Sequence, residues 1–247
     1  MSSSLSLGTI AGIRIDLNMS WLIIFALLSF SLATAELPGS ASGYGLGAYW
    51  VAGIVCTLLF FASVLLHELG HSLVARARGL RVSSITLFFF GGVSNLEQEP
   101  HSPGDEFVIA VIGPLISLLL GAILLPLGLA VGPNQTLVAA VLVYLGASNL
   151  LLGAFNLIPA FPLDGGRVLR AILWRATGNL GKATTWAARA GLGFGALFIV
   201  VGVVEVFAGN ILGGVWMAFI GAFLLLAAQS ANQSNEQGPA PNAPGVA

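Results

Sequence analysis

Six long apolar runs joined by short polar connections constrain this chain more than any other feature: Met19 to about Leu37, then roughly 48–74, 106–131, 136–158, 190–208 and 211–229. A helix of about 20 residues crosses the hydrocarbon core of a bilayer, so each run suffices for one crossing. The composition agrees, because 57% of the 247 residues are hydrophobic and 8% are charged, where soluble domains carry about 25% charged residues. The expected fold class is an all-α polytopic membrane protein of about six transmembrane helices. Ahead of the first run, IAGIRIDL alternates apolar and polar residues and reads as a short N-terminal β element. The segment 231–247, rich in Asn, Gln, Pro and Gly, has little to bury and is expected to be a disordered tail behind a membrane domain of residues 1–230.

Threading the six runs in and out of a bilayer tests their sidedness, because insertion keeps Lys and Arg cytoplasmic. Arg14 precedes the first run, Arg76, Arg78 and Arg81 follow the second, and Arg167, Arg170, Arg175, Lys182 and Arg189 lie between the fourth and fifth. All nine basic residues fall on one face, which puts both termini in the cytoplasm. The segments near Pro38–Gly47 and 132–135 then face outward, and neither has a Lys or Arg. With a net charge of −1 the chain has no basic surplus for phosphates, so nucleic acid is excluded as a partner. The single cysteine, Cys56, permits no internal disulfide. Gly191, Gly193, Gly195 and Gly202 lack the spacing of a dinucleotide fingerprint and read as small residues that let helices pack closely.

Ionisable side chains are expensive in a spanning helix and call for a functional explanation. The second run contains three of them, in FFASVLLHELGHSLVARARG. His67 and His71, at i and i+4, lie one above the other and can offer two imidazole nitrogens to one metal. Glu68, beside the first, is placed to act as general base on a water that such a metal activates. A catalytic zinc needs a third protein ligand. Glu97, Glu99, Asp105 and Glu106 sit in a polar connection, as does His101, which reads as a solvated loop residue. Asp164 remains, in NLLLGAFNLIPAFPLDGGRVLRAIL, where Pro159 and Pro162 break the fourth run and Gly165-Gly166 follow. Unwound backbone at membrane depth is tolerated where it lines a polar cavity. On these residues alone, a helix end with Asp164 paired to Arg167 is the better reading.

Together, HELGHSLVA and NLIPAFPLDGGRVLR resemble the site-2 protease family of intramembrane zinc metalloproteases, in its six-span prokaryotic form without C-terminal nucleotide-sensing CBS domains. The resemblance covers roughly residues 10–230. It implies one Zn2+ per chain held by His67, His71 and Asp164, Glu68 as catalytic base, and Asn156 holding substrate backbone. It also implies a protease domain over residues 1–230, set in a prokaryotic cell membrane with its active site open to the cytoplasm. The partners implied are transmembrane segments of protein substrates and the lipid bilayer; association with further copies of the chain stays open. TLFFFGGVS, residues 86–94, is too short to span and reads as a re-entrant β-hairpin or loop near the zinc site, with Gly91 and Gly92 at an edge that can pair with unwound substrate. Two other classes are a divalent-metal transporter, which would spread polar residues over several spans, and a catalytically silent relative that binds membrane proteins without cutting them.

Overall fold

The alternation before the first apolar run belongs to a hairpin. In the computed structural model, which describes residues 4–89, 91–132 and 136–237, Ser4–Ile10 (β1) and Ile13–Asn18 (β2) pair antiparallel. A second hairpin, Val82–Phe88 (β3) with Gly91–Leu96 (β4), extends the expected re-entrant segment on both sides. β2 and β3 join in parallel, with Ile15 opposite Ile85 and Leu17 opposite Leu87. One four-stranded sheet results, in the order β1-β2-β3-β4. Local periodicity cannot foresee this sheet, because its parallel pairing joins segments separated by two long helices.

The helices are Ser20–Ser31 (α1), Leu37–Ser40 (α2), Leu46–Ala77 (α3), Pro103–Val131 (α4), Leu137–Asn156 (α5), Asp164–Thr177 (α6), Leu180–Phe207 (α7) and Ile211–Gln237 (α8). A π-turn over Leu32–Glu36 carries α1 into α2, so that Ser20–Ser40 is one span. Among the described residues, six helical segments are long and apolar enough to cross a membrane, as expected of a multi-pass membrane protein. The fifth begins well before residue 190: Asn179 accepts a hydrogen bond from the Lys182 amide at 2.9 Å and starts α7 early. At the other end, α8 continues through Gln237, which makes residues 231–237 of the expected tail helical. The first strong breakers are Gly238 and Pro239, and Asn, Gln and Ser do not by themselves stop a helix that is already hydrogen-bonded. Residues 238–247 and residues 133–135 of the segment expected to face outward lie outside the described residues.

The chain divides into two compact units, Met1–Pro100 with Ile112–Phe155, and His101–Val111 with Asn156–Ala247. In the first, the sheet buries Ile13, Ile15 and Ile85 against Leu65 and Leu69 of α3. Trp21, Phe61, Val64 and Leu87 form a second cluster that ties α1 and β3 to α3. α1 and α3 also meet through a buried bond in which Ser29 Oγ donates to Thr57 Oγ1 at 3.1 Å. In the second unit, α7 and α8 form a tight helical hairpin. A Cβ on Gly202 would lie 2.5 Å from the Gly214 carbonyl oxygen, and one on Gly195 would lie 2.9 Å from that of Gly221. This is the close helix approach that small residues permit where lipid gives no hydrophobic drive to associate.

Candidate metal centre

His67 and His71 stand one turn apart on α3, both buried, with ring centroids 4.8 Å apart. Their surroundings are built by α4. His67 Nδ1 is hydrogen-bonded to Ser117 Oγ at 2.9 Å, and Ser117 is itself fully buried. That bond occupies one ring nitrogen and leaves Nε2 for another partner. Both Nε2 atoms converge on Gly113 of α4. A Cβ there would lie 2.1 Å from His71 Nε2 and 2.7 Å from His67 Nε2, so only glycine lets α4 pass the two imidazoles this closely.

Glu68 is held from the sheet. Ser94 Oγ of β4 donates to Glu68 Oε2 at 3.0 Å, and Ser72 Oγ of α3 lies 3.0 Å from Ser94 Oγ. Gly92, two residues before Ser94 on the same face of the strand, makes room: a Cβ on it would lie 2.4 Å from Glu68 Cγ. Gly91 opens β4 at φ +133°, a conformation that side-chain-bearing residues rarely adopt, with open space around it. Among the described residues no strand pairs with the outer edge of β4.

Asp164, half-buried, is the first residue of α6. The break that precedes it is compact, and the backbone folds onto the new helix. Leu163 is the N-cap, and its carbonyl accepts the Gly166 amide at 2.9 Å. A Cβ on Gly165 would lie 2.3 Å from the carbonyl oxygens of both Leu157 and Ile158, and one on Gly166 would lie 2.5 Å from the Phe161 nitrogen. The two glycines therefore permit the loop to close over the start of α6. Arg167, the alternative partner of Asp164, stands instead 4.0 Å from Glu106. Arg170 Nε donates to Glu106 Oε1 at 2.6 Å, with its guanidinium 5.5 Å above the Phe161 ring. Glu106, expected in a polar connection, is fully buried in the first turn of α4, because two arginines compensate its charge. His101 is exposed, as a loop residue should be. Asn156 is the half-buried last residue of α5, at the start of the break.

One group of side chains among the described residues can hold a metal ion. It consists of His67, His71 and Asp164, whose ligand atoms all lie within 4.8 Å of one another. Two imidazoles and a carboxylate are the donors that a catalytic zinc takes. The hydrogen bond that orients His67 fits such an ion as well. Sequence reasoning singled out the three donors and Glu68 but missed Ser94, Ser117, Gly113 and Glu106. Gly113 and Ser117 stand four residues apart on one face of α4, a spacing that reads equally well as ordinary helix packing.

A six-helix membrane fold with a small mixed sheet and a two-histidine, one-carboxylate donor set defines a narrow class of membrane protein with a zincin-type centre. The sequence pattern of Peptidase family M50 matches residues 55–134 and 132–200, and the chain belongs to that family. It is 44% identical over 231 residues to a Mycobacterium tuberculosis protein, Rip3, named as a zinc metalloprotease, covering 93% of this chain and 58% of that one. It is 44% identical over 229 residues to the similarly named sll0528 of Synechocystis, covering 91% and 59%. The chain thus spans about three-fifths of the length of these relatives. Its fold is similar to the solved site-2 protease from Methanocaldococcus jannaschii, with TM-score 0.65 and 31% identity over 94% of this chain and 96% of that one.

Proposed function

We propose that the chain is an intramembrane zinc metalloendopeptidase, which hydrolyses a peptide bond within or near a transmembrane segment of a protein substrate. The observation that carries this reading is the group of His67, His71 and Asp164 ligand atoms within 4.8 Å of one another, with Glu68 next to His67 on α3 and its carboxylate held by Ser94. Zinc, when bound by the three donors, acidifies a water and polarises a scissile carbonyl. Glu68 would accept a proton from the attacking water and pass it to the leaving amine. His67 and His71 supply Nε2, and Ser117 fixes the His67 ring. A substrate helix must unwind before its carbonyl is accessible, and the free edge of β4, with Gly91 and Gly92 at its start, suits the extended segment as an added strand. Asn156 holds substrate backbone from the end of α5. The one-sided distribution of Lys and Arg supports a site open to the cytoplasm, with both termini on that side.

The test is to purify the chain, measure bound zinc, and follow cleavage of a transmembrane substrate carrying a helix-destabilising residue. Glu68→Gln should retain zinc and lose cleavage. Cleavage that survives both Glu68→Gln and a strong chelator would overturn the assignment.

A further inference from the structure

We infer that Ser94 is a positioning residue for Glu68, and that β4 thereby fixes the orientation of the base from the same strand whose edge takes the substrate. The inference rests on the reading above and adds a role that neither motif announces. A glutamate on a helix has three free side-chain torsions, and nothing in H-E-x-x-H determines where its carboxylate points. Along β4, side chains alternate: Val93 and Asn95 are exposed, while Gly92, Ser94 and Leu96 are half-buried. The inward set faces α3 and makes two distinct contacts with Glu68. Gly92 takes up no space where Glu68 Cγ lies, which fixes the path of the side chain. Ser94 Oγ donates to Oε2 at 3.0 Å, which fixes the carboxylate plane and leaves Oε1 for a water.

The Ser94 hydroxyl is itself oriented. Among the described residues its other hydrogen-bonding contacts are the Glu68 carbonyl oxygen at 3.3 Å and Ser72 Oγ at 3.0 Å. Ser72 is buried, lies one turn after Glu68 on the same face of α3, and among the described residues bonds to Ser94 alone. With its hydroxyl donating to Ser94 and that of Ser94 donating to the carboxylate, the pair forms a directed relay in which each bond strengthens the next. A bond that merely stapled β4 to α3 would not require the terminal acceptor to be the catalytic carboxylate.

The test separates hydroxyl from shape. Ser94→Thr and Ser94→Val are nearly isosteric, both suit a strand, and differ in the hydroxyl alone. In the zinc-loaded full chain, Ser94→Val should lower kcat by about 10- to 100-fold relative to Ser94→Thr, the loss expected from a displaced catalytic group. KM and bound zinc should be equal in the two variants. A second readout needs no activity. In a Cys56→Ala background, Glu68→Cys with Ser94→Cys should form a disulfide under mild oxidation in membranes, read as protection from a maleimide mass tag. Equal kcat in the Thr and Val variants, a loss confined to KM, or no disulfide would overturn the role of Ser94. If wild type cleaves in a zinc-dependent way and Glu68→Gln does not, such a result leaves the protease reading standing. If Glu68→Gln cleaves, that reading fails instead, and the disulfide still reports whether Ser94 faces residue 68.

Discussion

Gly113→Ala tests whether α4 shapes the metal centre. The added Cβ would stand 2.1 Å from His71 Nε2 and 2.7 Å from His67 Nε2, where ordinary van der Waals contact begins at 3.4 Å. The shortfall is about 1.3 Å at His71 and about 0.7 Å at His67, whereas metal sites tolerate ligand displacements of only about 0.2 Å. Rotating His71 away spares its ring but takes Nε2 out of reach. His67 is less free, because Ser117 holds its Nδ1. Overpacking of this kind costs about 1–3 kcal/mol when the surroundings give way, so the protein should still fold, and alanine itself favours the helix. Zinc should suffer more, with affinity lower by at least about tenfold, the range seen when a supporting contact of a metal ligand is lost. The assay is zinc per chain by elemental analysis after dialysis against a graded chelator series, with size-exclusion profiles to confirm folding. A folded Gly113→Ala variant that holds one zinc per chain with wild-type chelator resistance would refute the placement of the two Nε2 atoms.

Ser117→Ala removes the partner of His67 Nδ1 without adding bulk, and zinc affinity should fall about 10- to 100-fold, read in the same chelator series. Glu106→Gln removes the buried charge that Arg170 and Arg167 face and should destabilise the protein by up to about 3–5 kcal/mol, seen as earlier thermal aggregation in detergent; replacing both Glu106 and Arg170 by leucine should cost less. Gly92→Val places side-chain atoms against Glu68 and should impair cleavage more than zinc binding, and an equal loss of both would argue against a role at the base and strand edge.

The six helices were legible because lipid demands long apolar runs and leaves little room for other readings. The candidate donors and base stood out for the reverse reason, since each charged or imidazole group in such a run is conspicuous: His67, Glu68 and His71 on α3, and Asp164 among the prolines and glycines around it. The sheet was only partly legible. β2 shows period-2 alternation, but β1 is exposed throughout, and the β2–β3 pairing is decided by burial of Ile13, Ile15 and Ile85 on α3, which no local pattern records. Glu106 was misplaced because PGDEF has the form of an ordinary helix start with acidic residues favouring the N-terminal dipole. Its burial depends on Arg167 and Arg170, far along the chain.

The serines that support the site escaped notice for a more specific reason. In an apolar helix a Ser or Thr hydroxyl usually satisfies itself by donating to the carbonyl four residues back, and Thr34, Thr57, Thr177, Thr184 and Ser230 do so, to Phe30, Gly53, Leu173, Leu180 and Leu226. Such bonds in themselves carry no information about neighbours, although Thr57 also accepts from Ser29 of α1. Ser72 and Ser117 break this habit, since both are buried on helices and bond to side chains of other elements, Ser94 and His67. A hydroxyl that bonds to a side chain across an interface fixes the orientation of whatever it meets, which is what the proposed metal ligand and general base require. Sequence records only that a serine is present. The choice between the local carbonyl and a distant partner is made by packing, so the orienting residues of this site become visible only once the helices and the sheet are in place.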